Sequence, residues 1–348
     1  MTISRRQLLG TALTLGAMHA FPGLTMAQAR PLVFATFTGS WEEAHKDVLV
    51  PAFRKSTSNA AIVLDPMLSV DQISKVTAAR ANPPIDVMLH DPGPALVAID
   101  NGLVQPYPVD KSAHYKKLLP DAQVATGPAP FFQVVGLTYN PDKIKQAPTS
   151  WSDLWKPEYK GRVGITNMNS TLGTGFMVEI AKLHGGSEAN IDGAFKAIEQ
   201  LKPSLAAVAA NPGQLATLFQ QGQIDISPGN FNAIQILKAR GVPVAFVAPK
   251  EGAIAFKTTV HIVKNSPNAE LAFKLIEAAL SPEVQTTLMQ PPYLIVPTHT
   301  GVIMKGEIAQ VLAKDFADLK KKFVFQDWKT INQQRSAWIE KFNREIKI

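Results

Sequence analysis

Cysteine is absent from the 348 residues. Without a thiol there is no disulfide scaffold, no cysteine-ligated zinc or iron–sulfur centre, no thiol catalysis and no lipid-anchored cysteine. Long apolar runs are missing as well. No segment approaches the ~20 residues a helix needs to cross ~30 Å of hydrocarbon. Charged residues reach only 18% against 46% hydrophobic, a globular rather than a disordered composition. Catalytic signatures are lacking too: there is no G-x-S-x-G elbow, H-E-x-x-H pair or phosphate loop, and the seven histidines are scattered. Glu42 and Glu43 are adjacent at a helix start, so they point to different faces and complement the helix dipole better than they share acid–base work. Gly173-Thr174-Gly175 lacks the further glycine of a dinucleotide fingerprint. The sequence therefore predicts no enzyme, no cofactor and no metal.

What remains is a basic chain long enough for two domains, with 35 Lys+Arg against 28 Asp+Glu, a formal charge of +7. Its main basic clusters, Lys116-Lys117 and Lys320-Lys321-Lys322, carry no stacking aromatics, so no nucleic-acid partner is expected. Residues 1–29 have the three parts of an export signal. These are a basic start with Arg5-Arg6, a short apolar stretch from Leu8 to Ala20, and Ala27-Gln28-Ala29 as a small-residue exit. The paired arginines after Ser4 favour the twin-arginine route. Cleavage after Ala29 removes two of the basic residues and lowers the charge to +5.

From Arg30 onward strand-like and helical runs alternate. Leu32–Ala35, Ala61–Leu64 and Asp86–His90 read as strands separated by helices, the first helix opened by a capping box of Ser40 and Glu43. This βαβαβ order predicts an open, mostly parallel sheet whose ligand sits at the strands' carboxyl ends. Residues 36–41 and 90–93 are the first places to look. Further strands are expected at 132–139, 160–165, 224–227, 242–247 and 258–263. Further helices are expected from Asn169-Ser170-Thr171 to His184, at 215–221, at 271–280 and at 282–289. A terminal helix has Ile331, Trp338, Phe342 and Ile346 on one face.

The stretch from Thr149-Ser150-Trp151-Ser152-Asp153-Leu154-Trp155 through Lys160-Gly161-Arg162-Val163 resembles the periplasmic solute-binding proteins of ABC importers, most closely the spermidine/putrescine-binding branch. Gly39-Ser40-Trp41-Glu42, Asn101–Pro106, Tyr139-Asn140-Pro141, Pro249–Gly252 and the ending from Asp327-Trp328 to Ile346 agree with it. The resemblance implies a two-lobed α/β clamp of type II topology, each lobe a mixed sheet flanked by helices. Lobe 1 would comprise 30–138 and 265–348, and lobe 2 139–264, with hinge crossings near 134–140 and 258–264. It also implies a soluble periplasmic monomer that captures a small polar solute between the lobes and delivers it to a membrane permease with its ATPase.

Several residues are candidates for holding the solute. Asn169, Ser170 and Thr171 open a helix whose free N–H groups suit an anion, or Ser170 simply caps it. Asp91 either binds an ammonium or caps the next helix. Trp41 either stacks on the solute or belongs to the core. Ser40, Asn230 and Tyr293 stand at strand ends or in loops where they either reach the cleft or shape turns. In the polyamine branch the stretch after Glu-Gly runs through an aromatic residue to an aspartate. Here it reads Phe256-Lys257-Thr258, with a cation where the branch has an anion nearby. Two like charges ~4 Å apart cost about 4 kcal/mol at an effective dielectric of ~20. The expected solute is therefore anionic or zwitterionic, with a polyamine or thiamine as the alternatives. Ferric iron is disfavoured because none of the five tyrosines are adjacent.

Overall fold

The structure, a computed structural model, describes residues 30–347. The export signal expected over residues 1–29 lies outside the described residues. The first βαβαβ run consists of β1 (Leu32–Thr36), α1 (Ser40–Ala44), α2 (Val50–Ser56), β2 (Ile62–Pro66), α3 (Ser69–Ala78), β3 (Val87–His90) and α4 (Pro92–Asp100). β1 pairs in parallel with both β2 and β3. β3 is buried along its whole length, which is why it reads as an unbroken apolar run rather than an alternating one.

A second parallel group follows β4 (Phe131–Tyr139). It is built from β5 (Val163–Thr166), α5 (Thr171–Leu183), α6 (Asp192–Leu201), β6 (Leu205–Ala209), α7 (Pro212–Gln220), β7 (Ile226–Asn230) and α8 (Ile234–Ala239). β5 lies between β6 and β7, parallel to both. The chain then runs through β8 (Ala245–Val247), β9 (Ala253–Ile262), α9 (Ala269–Leu280), α10 (Pro282–Leu288), β10 (Val296–Pro297), α11 (Phe316–Lys322), β11 (Phe323–Val324) and α12 (Trp328–Glu345).

The two long strands join the groups, giving the order β2-β1-β3-β9-β4-β7-β5-β6. Each changes partner partway. β9 is antiparallel to β4 over Ile254–Thr258 and to β3 over Thr259–Ile262. β4 faces β9 up to Val135 and β7 from Val135 to Tyr139. Loop ends of both parallel groups thereby open toward the same region.

Three departures from the sequence reading have physical causes. α6 and β6 were not foreseen, because Leu205-Ala206-Ala207-Val208-Ala209 is rich in alanine, a weak strand former; pairing with β5 overrides propensity. β9 starts five residues before the expected strand, since Ala253–Phe256 pairs with β4 and β11. Ser40 is not a cap. Gly39, at φ 73°, holds the N-cap position, and the Ser40 hydroxyl is turned outward to accept from Asn232 Nδ2 at 2.8 Å. Caps do form elsewhere, as a capping box of Ser150 with Asp153 and as the Ser281 hydroxyl at the start of α10.

α12 sets its apolar face, Trp328, Ile331, Trp338 and Phe342, into a core with Phe176, Phe256 and Trp151. Side chains of this size contribute roughly 1.5–3 kcal/mol each when fully buried. One residue on that face is not apolar: Arg335, only 7% exposed.

Candidate functional site

A cavity of about 530 Å³ opens where β1, β3, β5, β6 and β7 run out into loops and helix starts. That is the position in which parallel sheets hold ligands.

Asp91 follows β3 and begins α4, yet its carboxylate does not cap that helix. The Thr171 side chain lies beside it and favours its charged form. Its Oδ1 is buried without a partner and the residue lines the cavity. Burial pushes the Asp91 carboxyl up to about 6, and the Thr171 side chain and the positive charge of Arg335 hold it from rising further. Arg335 reaches this region from α12. Its Nε donates to Thr174 Oγ1 at 3.2 Å and its Nη2 to the Asn169 carbonyl at 3.0 Å, while the guanidinium lies 5.6 Å from the Trp328 ring centre. Burial lowers its pKa to about 10 against the pull of Asp91, so it stays a cation at neutral pH. Arg335 does not line the cavity; it braces the start of α5 and faces Asp91 from behind.

Two more buried acceptors lack partners, Gln133 Oε1 and Asn230 Oδ1, and both residues line the cavity. Asn230 lies opposite Val135, so Gln133, two residues away on β4, is its diagonal neighbour on the same face. The indole N–H of Trp41, also lining the cavity, is a buried donor without a partner. Two helix starts complete the polar side. Ser170 precedes α5 without a side-chain cap, and Asn211 caps α7 through Gln214 N at 2.9 Å. Both present the partial positive charge of a helix N-terminus. At the mouth, Glu43 and Arg240 form an ion pair with each other. Beside them the two backbones nearly touch: a Cβ on Gly39 would lie 3.8 Å from Gly213 Cα, and one on Gly213 3.4 Å from Thr38 Oγ1.

Seven of the residues singled out from sequence line this cavity: Ser40, Trp41, Asp91, Asn169, Ser170, Thr171 and Asn230. Phe256, Lys257 and Tyr293 do not. Phe256 is fully buried, edge-on to Trp328 at 5.8 Å and against Gly175, whose added Cβ would lie 2.9 Å from its ring. Lys257, next along the strand and so on the opposite face, lies across from Phe132 in the β4–β9 ladder. The Tyr293 hydroxyl donates to Asp47 at 3.1 Å. The cation that acts on the site's carboxylate is Arg335, which sequence reasoning missed. A lone arginine at helical spacing between Ile331 and Trp338 is the signal that marks it. Gln133 was missed too, although it is the single polar residue early in an apolar strand. α7 starts at Pro212, three residues before the expected helix at 215–221, because Asn211 caps it and proline suits its first position.

Among the described residues no group of three His, Asp or Glu is placed to hold a metal ion, and no helix is long and apolar enough to cross a membrane.

The model of a bacterial extracellular solute-binding protein family matches residues 82–334. The spermidine/putrescine-binding periplasmic protein of Escherichia coli K12 is 32% identical over 140 residues; the match spans 39% of this chain and 39% of that relative. The gamma-aminobutyric acid-binding protein of Pseudomonas aeruginosa is 25% identical over 309 residues, covering 82% of this chain and 81% of its own. The periplasmic binding protein AgtB of A. tumefaciens R10, solved with agropinic acid, superimposes with a TM-score of 0.77 at 19% identity, covering 91% of this chain and 99% of AgtB. The fold is accordingly the two-lobed type II α/β architecture of periplasmic binding proteins, as the sequence resemblance implied.

Proposed function

Because this chain belongs to the bacterial extracellular solute-binding protein family, we propose that its cavity captures a zwitterionic solute with a primary ammonium group. As a soluble periplasmic component, exported by its leader, it hands that solute to the permease and ATPase of an ABC importer. The observation that carries the reading is the set of unpartnered acceptors in the cavity lining: Asp91 Oδ1, Asn230 Oδ1 and Gln133 Oε1. A primary ammonium offers three N–H donors and one positive charge, which matches two neutral acceptors and one carboxylate. An anionic group on the same solute finds the Trp41 N–H and the helix starts at Ser170 and Asn211.

Charge separates this solute from a polyamine. The charged residues lining the cavity are Glu43, Asp91 and Arg240, and Glu43 is paired with Arg240. A second ammonium has no free carboxylate to meet. The Pseudomonas aeruginosa relative, matched along most of both chains, is named for γ-aminobutyric acid, which carries one ammonium and one carboxylate.

The lobes, 30–138 with 265–348 and 139–264, would close by bending where β4 and β9 exchange partners. A solute favours that closure only by touching both lobes. The protein acts as a carrier and changes no bond of the solute.

Thermal denaturation with γ-aminobutyrate, 2-aminoethylphosphonate, putrescine, succinate and thiamine tests this. The zwitterions should stabilise, by about 2.7 kcal/mol at a hundred times Kd. Stabilisation by putrescine, succinate or thiamine but not by the zwitterions overturns the reading.

A further inference from the structure

We infer that the solute also carries an aryl-sized apolar body, because the cavity that holds Asp91 is also lined by Phe37, Leu68, Val70, Leu215, Phe219 and Leu237. This rests on the ammonium reading above and extends it from a charge pattern to a class of molecule.

These six residues come from separate parts of the chain: the loop after β1, the start of α3, the inner face of α7 and α8. The start of α7 borders the cavity along residues 211–217, and Leu215 and Phe219, at i and i+4, share one face of that helix. Phe37 is edge-on to Trp41, with ring centres 6.0 Å apart and planes at 90°, which fixes the two rings against each other. A cavity of about 530 Å³ falls among those that enclose drug-sized ligands. A solute as small as γ-aminobutyrate, anchored at Asp91, fills only part of that volume and leaves water against the half-buried Leu68 and Val70, beneath which Phe37, Leu215, Phe219 and Leu237 belong to the core. The charged groups at the mouth are engaged with each other, so a strongly polar body gains no ionic partner there. An apolar body displaces that water and is held without any further hydrogen bond.

The test is calorimetric titration of the whole exported chain at neutral pH with three probes: γ-aminobutyrate, its 3-phenyl derivative and 3-phenylbutyrate, which has no ammonium. The 3-phenyl derivative should bind roughly 10- to 100-fold tighter than γ-aminobutyrate. Val70→Asn, at a half-buried position on the first turn of α3, should shrink that ratio several-fold whatever it does to each affinity. Equal binding of the two ammonium probes, or a ratio unmoved by Val70→Asn, overturns the inference and leaves the ammonium reading standing. Binding of 3-phenylbutyrate as tight as that of 3-phenyl-γ-aminobutyrate supports the apolar body and overturns the ammonium reading. If no phenyl probe binds, the inference is wrong.

Discussion

Asp86 and Asp91 bracket the same strand, β3, and both are buried, but they serve opposite ends. Asp86 is saturated: Oδ2 accepts from Val33 N at 2.7 Å and Asn268 Nδ2 at 3.2 Å, and Oδ1 from Ser266 Oγ at 2.6 Å. It ties β1 to the turn before α9. Asp91 has the Thr171 side chain beside it and a cation at a distance, and keeps one buried oxygen without a partner in a residue that lines the cavity. A buried carboxylate can hold a fold together or wait for a ligand. The count of donors around it tells the two apart, because an unmatched buried acceptor costs free energy until something supplies the hydrogen.

The largest effect that would probe this contrast is Asp86→Ala. It removes the acceptor of the Val33 N–H and of the Ser266 hydroxyl and one acceptor of the Asn268 amide, at about 1–3 kcal/mol for each group left unsatisfied. Denaturant unfolding should show a loss of at least roughly 3 kcal/mol; a loss below 1 kcal/mol would mean that Asp86 is not the tie described.

Asp91→Asn should behave in reverse. Affinity for γ-aminobutyrate should fall about 30-fold or more, the range for removing one partner of a buried charged pair. Unfolding free energy should hold or rise, because the ionised Asp91 is costly to bury. If this variant loses as much stability as Asp86→Ala, the distinction between the two aspartates collapses.

A third comparison comes from pH. Asp91 holds its proton up to about 6, so affinity for an ammonium should weaken as pH falls through that value. Fold stability follows other groups. Burial lowers His45 to about 3 and His261 to about 4, and His90, whose ring centre is 5.7 Å from that of His261, lies well below its ordinary value. These rings are neutral in the fold, whereas the unfolded chain takes up protons near 6.5. Their stabilisation is complete above that pH and is lost on acidification toward the folded values, on the order of 2 kcal/mol per ring at pH 5. Asp91 opposes this, since its raised pKa favours the acidified fold by about 1 kcal/mol over the same interval. The melting temperature should therefore drop from pH 7 to pH 5 in both wild type and Asp91→Asn, while only wild type shows pH-dependent affinity. A melting temperature independent of pH would contradict the buried neutral histidines.

The alternation of strands and helices was readable because buried parallel strands such as Val87–His90 are short apolar runs bounded by Asp, Pro and Gly. The strand ends then pointed to Ser40, Asp91, Asn169–Thr171 and Asn230. Contributions that depend on non-local pairing were not readable. Ala206 and Ala207 become strand only because β5 lies alongside, and nothing near Phe256 in sequence announces that Gly175 and Trp328 enclose it. Arg335 illustrates the same limit: its place on an apolar helix face was visible, but not that Asn169 and Thr174 would receive it.

The near-contact of Gly39 with Gly213 divides labour in the molecule. Under the proposed function, main chain meets main chain at this point of the seam, while solute preference would be written in side chains such as Asp91 and Val70. Substitutions can therefore retune what is carried without disturbing how the container shuts. A lineage can pass from one cargo to another through a series of closing, functional carriers. A methyl group at Gly213 would already touch Thr38 across that seam, so larger side chains there would bear on every one of them.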